Sequence, residues 1–151
     1  MKQIVIILAL IINLSAWART DSALVVQLEM NEEVGPALWL KTQQAFDMAT
    51  SDSADLILIH MNTYGGAVVD ADSIRTRILN SPIPVYVFID NNAASAGALI
   101  AIACDRIYMR RGANIGAATV VNQSGQAMPD KYQSYMRSTM RSTAEAHGYD
   151  T

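Results

Sequence analysis

A serine among small residues, a pair of glycines and a lysine at a helix start are the groups in this 151-residue sequence that could support nucleophilic chemistry. Ser95 is flanked by Ala93, Ala94, Ala96 and Gly97 at the mouth of an apolar run that reaches Cys104. A helix buried for packing alone would accept Leu or Ile at several of these positions. Small neighbours make sense if a carbonyl group must reach the hydroxyl without meeting a side chain. The competing reading is an N-cap, a role serine strongly favours, with the hydroxyl near the positive end of the helix dipole. Gly65-Gly66 also admits two readings. After a buried strand a diglycine is either a plain tight turn or a bend whose positive φ and close backbone approach aim N–H groups at a developing oxyanion.

A serine hydroxyl attacks poorly until a base removes its proton, so the candidate bases matter. His60 alternates with Leu56 and Leu58 in an apolar run and reads as a core or edge histidine. His147, beside Gly148 at a helix end, reads as a partner of the last carbonyls. Beyond residue 18 the lysines are Lys41 and Lys131. Lys41 falls in an early helix as a solubilising residue. Lys131 opens the last helix, where a cation opposes the dipole; held there and partly desolvated it can act as a general base, and otherwise it is an ordinary solvated lysine.

The elements that must position these groups alternate. Residues 23–30 read as a strand, 32–50 as a helix with Leu38, Ala45, Met48 and Ala49 on its apolar side, and 55–61 as a strand covered on both faces. A helix over 68–79 follows the diglycine, with Val69, Ile74 and Ile78 on one side. Pro82 and Pro84 lead into a strand over 85–89. A small-residue helix over 94–103 and short strands over 106–109 and 115–118 come next. Pro129 opens a final helix whose stripe is Tyr132, Tyr135, Met136, Thr139, Met140, Thr143 and His147. Such alternation predicts an α/β fold with a largely parallel sheet. Its functional groups should gather past the carboxyl ends of the strands, where the loops 62–67 and 90–97 lie.

Composition narrows the class further. Lys2, the apolar run 4–12 and Ala16-Trp17-Ala18 form a secretory signal pattern, too short for a membrane span, so residues 1–18 are expected to be cleaved and 19–151 exported as one domain. Without Lys2 there remain ten basic and fourteen acidic residues, and no basic run suggests nucleic acid. The single cysteine, Cys104, permits no intrachain disulfide and reads as a small buried residue. No metal-ligand cluster and no cofactor motif is read from the sequence.

Asn62-Thr63-Tyr64-Gly65-Gly66-Ala67, Ala93-Ala94-Ser95-Ala96-Gly97-Ala98 and Ile115-Gly116-Ala117 occur in order at suitable spacing. Together they resemble the ClpP/crotonase superfamily, and within it the N-terminal protease domain of NfeD proteins, over residues 23–148. The resemblance implies a spiral of βαβ units and a membrane-bound serine protease class. It matches Ser95 to the nucleophile, Lys131 to the lysine general base, and Gly66 with Ala96 to the oxyanion-hole donors. Gly65, Ala67 and Val68 match the strand-like edge that pairs with an extended peptide. Two departures stand out: ClpP has a histidine where this chain reads Ile115-Gly116-Ala117, so a Ser-His-Asp triad is unsupported, and Tyr64 replaces the familiar proline before the diglycine.

The expectation is therefore an exported serine endopeptidase with a Ser-Lys dyad and no cofactor. It would cut hydrophobic segments of membrane-associated proteins, a stomatin-like partner among them, as a homo-oligomer such as a dimer. Full-length NfeD proteins continue into transmembrane helices and a small β-barrel domain, so the chain is expected to be truncated at its C-terminus. The alternatives are a non-catalytic interaction domain of the same fold and, behind it, acyl-CoA chemistry of the crotonase type. The last lacks an acidic residue flanking Ser95 closely.

Overall fold

Period-two burial in the first three strands sets the architecture. The computed structural model describes residues 22–122 and 124–149; the expected leader, residues 1–18, lies outside them. Five strands, β1 (Val25–Met30), β2 (Leu56–Thr63), β3 (Val85–Ala94), β4 (Arg106–Met109) and β5 (Asn114–Gly116), alternate with four helices, α1 (Pro36–Ser51), α2 (Val68–Leu79), α3 (Ala96–Ile102) and α4 (Asp130–Ala146). The sheet runs β1-β2-β3-β4, every pairing is parallel, and β5 pairs with the end of β3. This is the largely parallel α/β sheet the alternation predicts.

One face of the sheet carries the core. Met30, Ile57, Ile59, Met61, Val85, Val87 and Ile89 are essentially sealed from water, with Leu38 and Phe46 from α1, Ile74 from α2 and Leu99 and Ile100 from α3. Each such side chain contributes roughly 1.5–3 kcal/mol of transfer free energy. Pro36 at the first turn starts α1, where its missing N–H costs nothing.

The opposite face departs from expectation. β2 was expected to be covered on both sides, but Leu56, Leu58 and His60 alternate with fully buried neighbours and remain only half-buried. No described helix packs over them, so their apolar character supports the sheet face and not a second layer. His60 sits on this face, with Nδ1 2.8 Å from Glu29 Oε2 and its ring stacked on Phe88. The His60 contact, first, holds the Glu29 carboxyl below its ordinary range.

Other differences have local causes. β3 continues to Ala94, beyond the expected end at Ile89, because Ala93 pairs with both Thr63 and Ile115. Residues 32–34 are not helical; Val34 forms an isolated parallel bridge to Gly66. Met48, Val69, Tyr132 and Tyr135, expected on apolar helix faces, are exposed, whereas Phe46 and Ala71 take the buried positions. In α4 Met136 and Thr143 are the buried residues, and Thr143 accepts a hydrogen bond from Arg75 Nε.

Cys104 is fully buried, and burial pushes its thiol far above the ordinary range, with the Asp105 charge adding to the effect. Since the thiolate is the reactive form, the native chain should resist a thiol-specific disulfide reagent over hours and react within minutes in denaturant. Rapid modification of the native chain would contradict this burial.

Candidate active site

The site is built where β2, β3 and β5 end together. β2 runs out at Thr63, and Gly65 and Gly66 follow with φ +107° and +152°. A Cβ on Gly66 would lie 2.1 Å from the Val34 carbonyl oxygen, and one on Gly65 would lie 2.7 Å from Ser95 Cβ. Both glycines are therefore demanded by backbone crowding, not by turn geometry alone. Val34 N–H donates to the Gly65 carbonyl at 2.8 Å, and Ala67 N–H donates to the Val34 carbonyl at 2.7 Å. Alternation along an extended strand then turns the Gly66 N–H and C=O to the other edge, and that N–H has no acceptor among the described residues.

Ser95 joins β3 to α3 with φ 55° and ψ −117°, the geometry of the first central position in a II′ turn, which glycine ordinarily fills. A non-glycine residue held there stores about 1–3 kcal/mol of strain. The N-cap reading fails: Ser95 occupies the cap position, but its hydroxyl makes no capping bond. Its N–H donates to the Gly116 carbonyl at 2.7 Å, and its carbonyl accepts from Ala98. The backbone is thus tied on both sides and the hydroxyl is left uncommitted. Ala96, the next residue, has no acceptor for its N–H among the described residues.

The small residues around Ser95 also have a packing reason. Ala93, Ala96 and Ala98 are buried, and a Cβ on Gly97 would meet Thr63 Cγ2 at 2.6 Å. Ala96 lines the cavity that holds Ser95, and Gly97 lets α3 press against the end of β2, a packing reason beside the expected one. That contact brings the serine to the diglycine.

Gly66, Val68, Ser95 and Ala96 line a small cavity of about 50 Å³, closed on its far side by residues 118–121 and Met136. A larger apolar groove of about 550 Å³ adjoins it, lined by Val69, Lys131, Tyr132 and Tyr135, and the two share Val68, Val120 and Met136 as walls. The structure thus brings together Ser95, Gly66, Ala96 and Val68, with Gly65 in contact behind them. Lys131 it places in the neighbouring groove, exposed, its Nζ 4.9 Å from the Tyr132 ring centroid. His60 is on the helix-free sheet face, and His147 lies beside Asp105, Pro84 and Tyr86 at the start of β3. No group of residues suited to hold a metal occurs among the described residues.

Sequence reasoning missed three supporting groups. Val34 pairs with the diglycine; the Gly116 carbonyl anchors Ser95; Gln133 clamps the segment over the cavity, accepting from Val120 N–H and donating to the Val120 and Met128 carbonyls. The first two act through long-range backbone pairing and the third through a side-chain amide bonded to the main chain, neither of which periodicity reports. Thr63 is a fourth, treated below.

With this geometry in place the chain can be compared with known proteins. Residues 24–151 match the family model described as NfeD1b, N-terminal domain. The chain belongs to that family. It is 35% identical over 139 residues to the membrane protein NfeD1b of Bacillus subtilis, a match covering 92% of this chain and 31% of that protein. It is 33% identical over 109 residues to the membrane-bound protease PH1510 of Pyrococcus horikoshii, covering 67% and 25%. The chain therefore spans a third or less of these relatives.

Among solved structures, a lysine-to-alanine mutant of the 1510-N membrane-bound stomatin-specific protease, in complex with a substrate peptide, superposes with a TM-score of 0.77 at 26% identity. That match covers 83% of this chain and 61% of the other. ClpP1 of Listeria monocytogenes, at TM-score 0.62 and 17% identity, shares the fold alone. The fold is thus of the ClpP/crotonase kind, and the relatives include a membrane-bound protease. The relatives are named as membrane proteins, and no described helix of this chain is long and apolar enough to cross a membrane.

The Ser95 strain is testable. Ser95→Gly should melt higher than Ser95→Ala, by about 1 kcal/mol after the entropic cost of glycine is taken off. Equal or reversed stabilities in thermal unfolding would mean the turn is unstrained.

Proposed function

We propose that this domain is a serine endopeptidase in which Ser95 attacks a peptide carbonyl and Lys131 is the general base. The observation that carries the reading is an uncommitted hydroxyl on a strained turn, sharing one cavity with Gly66 and Ala96, whose backbone N–H groups have no acceptor among the described residues. Such donors stabilise an oxyanion without reorganising, and losing one typically costs about 10²–10³ in rate.

In this mechanism an extended substrate pairs along Gly65 to Val68, using the free edge of Gly66. Lys131 leaves the Tyr132 ring and swings on its flexible four-carbon stem across the wall shared by groove and cavity. It takes the Ser95 proton as Oγ bonds to the carbonyl carbon, and the oxygen's charge rests on the Gly66 and Ala96 N–H groups. Collapse breaks the C–N bond, and Lys131 returns the proton to the leaving amine. Water then adds to the acyl-serine with Lys131 again as base, releasing the acid and restoring Ser95. The groove of Val69, Tyr132 and Tyr135 suits an apolar substrate segment, in keeping with a relative named as stomatin-specific. By the same kinship the substrate is a membrane-associated protein and longer family members are tethered to a membrane; the signal pattern of residues 1–18 adds export behind a leader, and the reading includes a homo-oligomer.

The distance of Lys131 from the serine cavity favours one second reading: a domain of the same fold that binds extended peptides without cleaving them. The two part on experiment. A fluorophosphonate probe should label Ser95 in the parent chain and not in Ser95→Ala, and Lys131→Ala should lower peptide turnover by at least about 10²-fold, the lower end of general-base effects. A folded parent that neither labels nor cleaves would leave the binding reading in possession. Undiminished turnover in Lys131→Ala would remove the lysine from the mechanism.

A further inference from the structure

Thr63 is almost completely buried at the end of β2. Its hydroxyl donates to the Glu32 carbonyl at 2.6 Å and accepts the Gly65 N–H at 3.2 Å. Both hydrogen-bonding roles are therefore used, one on the segment that carries Val34 and one on the diglycine. Among the described residues it is the one side chain that hydrogen-bonds the diglycine loop. Its methyl group faces the other way, onto Gly97, so closely that no Cβ fits there.

These contacts fall on immediate neighbours of the two free donors: Gly65 precedes Gly66, and Gly97 follows Ala96. One buried side chain thus braces both halves of the proposed oxyanion site, the hydroxyl on one half and the methyl on the other. We propose that Thr63 is a positioning residue that sets the separation of the Gly66 and Ala96 N–H groups; the inference rests on the protease reading for its catalytic consequence and on geometry alone for its structural one. Among ordinary residues threonine joins a hydroxyl and a methyl on one Cβ. Valine keeps the shape and leaves the buried Gly65 N–H and the partly buried Glu32 carbonyl without the hydroxyl, so that the N–H must move to find a partner. Serine keeps the bonds and loosens the packing on Gly97. Misplacement of a donor by about 1 Å costs on the order of 10²-fold in rate.

The test compares parent, Thr63→Val and Thr63→Ser chains in two measurements. In hydrogen exchange followed by NMR, the Gly65 amide should exchange at least tenfold faster in the valine variant and near the parent rate in the serine variant, while core amides such as Ile59 and Val87 stay protected in both. In steady-state kinetics on one apolar peptide, Thr63→Val should lose about 10²-fold in kcat with KM within a factor of about two, and Thr63→Ser should stay within about fivefold of the parent. An unchanged Gly65 amide in Thr63→Val, or a serine variant as impaired as the valine one, would overturn the assignment. Should valine unfold the domain, Thr63→Ala takes its place in both measurements: a Gly65 amide exchanging at least tenfold faster with a lowered kcat supports the proposal, and parent-like values of both defeat it. A parent chain without turnover would refute the protease reading and leave the exchange experiment to decide the role of Thr63.

Discussion

Everything at this site depends on one contact between two stretches of main chain. Gly65 lies so close to the Ser95 turn that the smallest added side chain would overlap Ser95 Cβ. Contact of this kind cannot be made by long side chains, which would hold the segments apart and let water between them. It requires glycine on one side, a short residue on the other, and forces from outside to hold both. The forces come from β-pairing: Val34 secures the diglycine, and the Gly116 carbonyl secures Ser95 through its N–H. Four regions far apart in the chain thus converge on a cavity large enough for little more than one reacting group.

This arrangement divides the labour between order and strain. The core under α1, α2 and α3 supplies stability in bulk, and part of it offsets the unfavourable torsions at Ser95. In return the serine backbone is fixed while its hydroxyl stays free of local partners. A serine in ordinary capping geometry would spend that hydroxyl on its own helix. The helix that follows is short and made almost wholly of small or aliphatic residues, AGALIAI, and is buried along nearly its entire length. It serves as a wedge that holds the turn against the sheet.

Much of this was legible beforehand, and what was not has physical reasons. α2 and β4 fall at the residues expected of them because glycine, proline or a change of period bounds each one locally. The end of β3 was invisible: residues 90–94 are polar and small, and only their pairing with Thr63 and with β5 makes them a strand. Helical periodicity put Val69, Tyr132 and Tyr135 on the stripes of their helices, and they line a groove; a stripe reports that a face is apolar and says nothing of what covers it. The small residues around Ser95 were correctly singled out for an incomplete reason, since spacing cannot distinguish room for a ligand from room for a neighbouring strand. Ser95, Gly66 and Ala96 do meet in one cavity. Lys131 sits one cavity away because its position follows from α4, which joins the core mainly through Met136 and Thr143.

The central claim is that the serine hydroxyl faces a receptor for negative charge made of main-chain donors from two separate loops. A crystal structure of the chain reacted with a peptide aldehyde or boronate tests it most directly. The account predicts a covalent bond to Ser95 Oγ, with one adduct oxygen about 2.7–3.1 Å from both the Gly66 and the Ala96 nitrogens and the peptide extended along Gly65 to Val68. An adduct oxygen turned into solvent, or a peptide bound without any bond to Ser95, would contradict it.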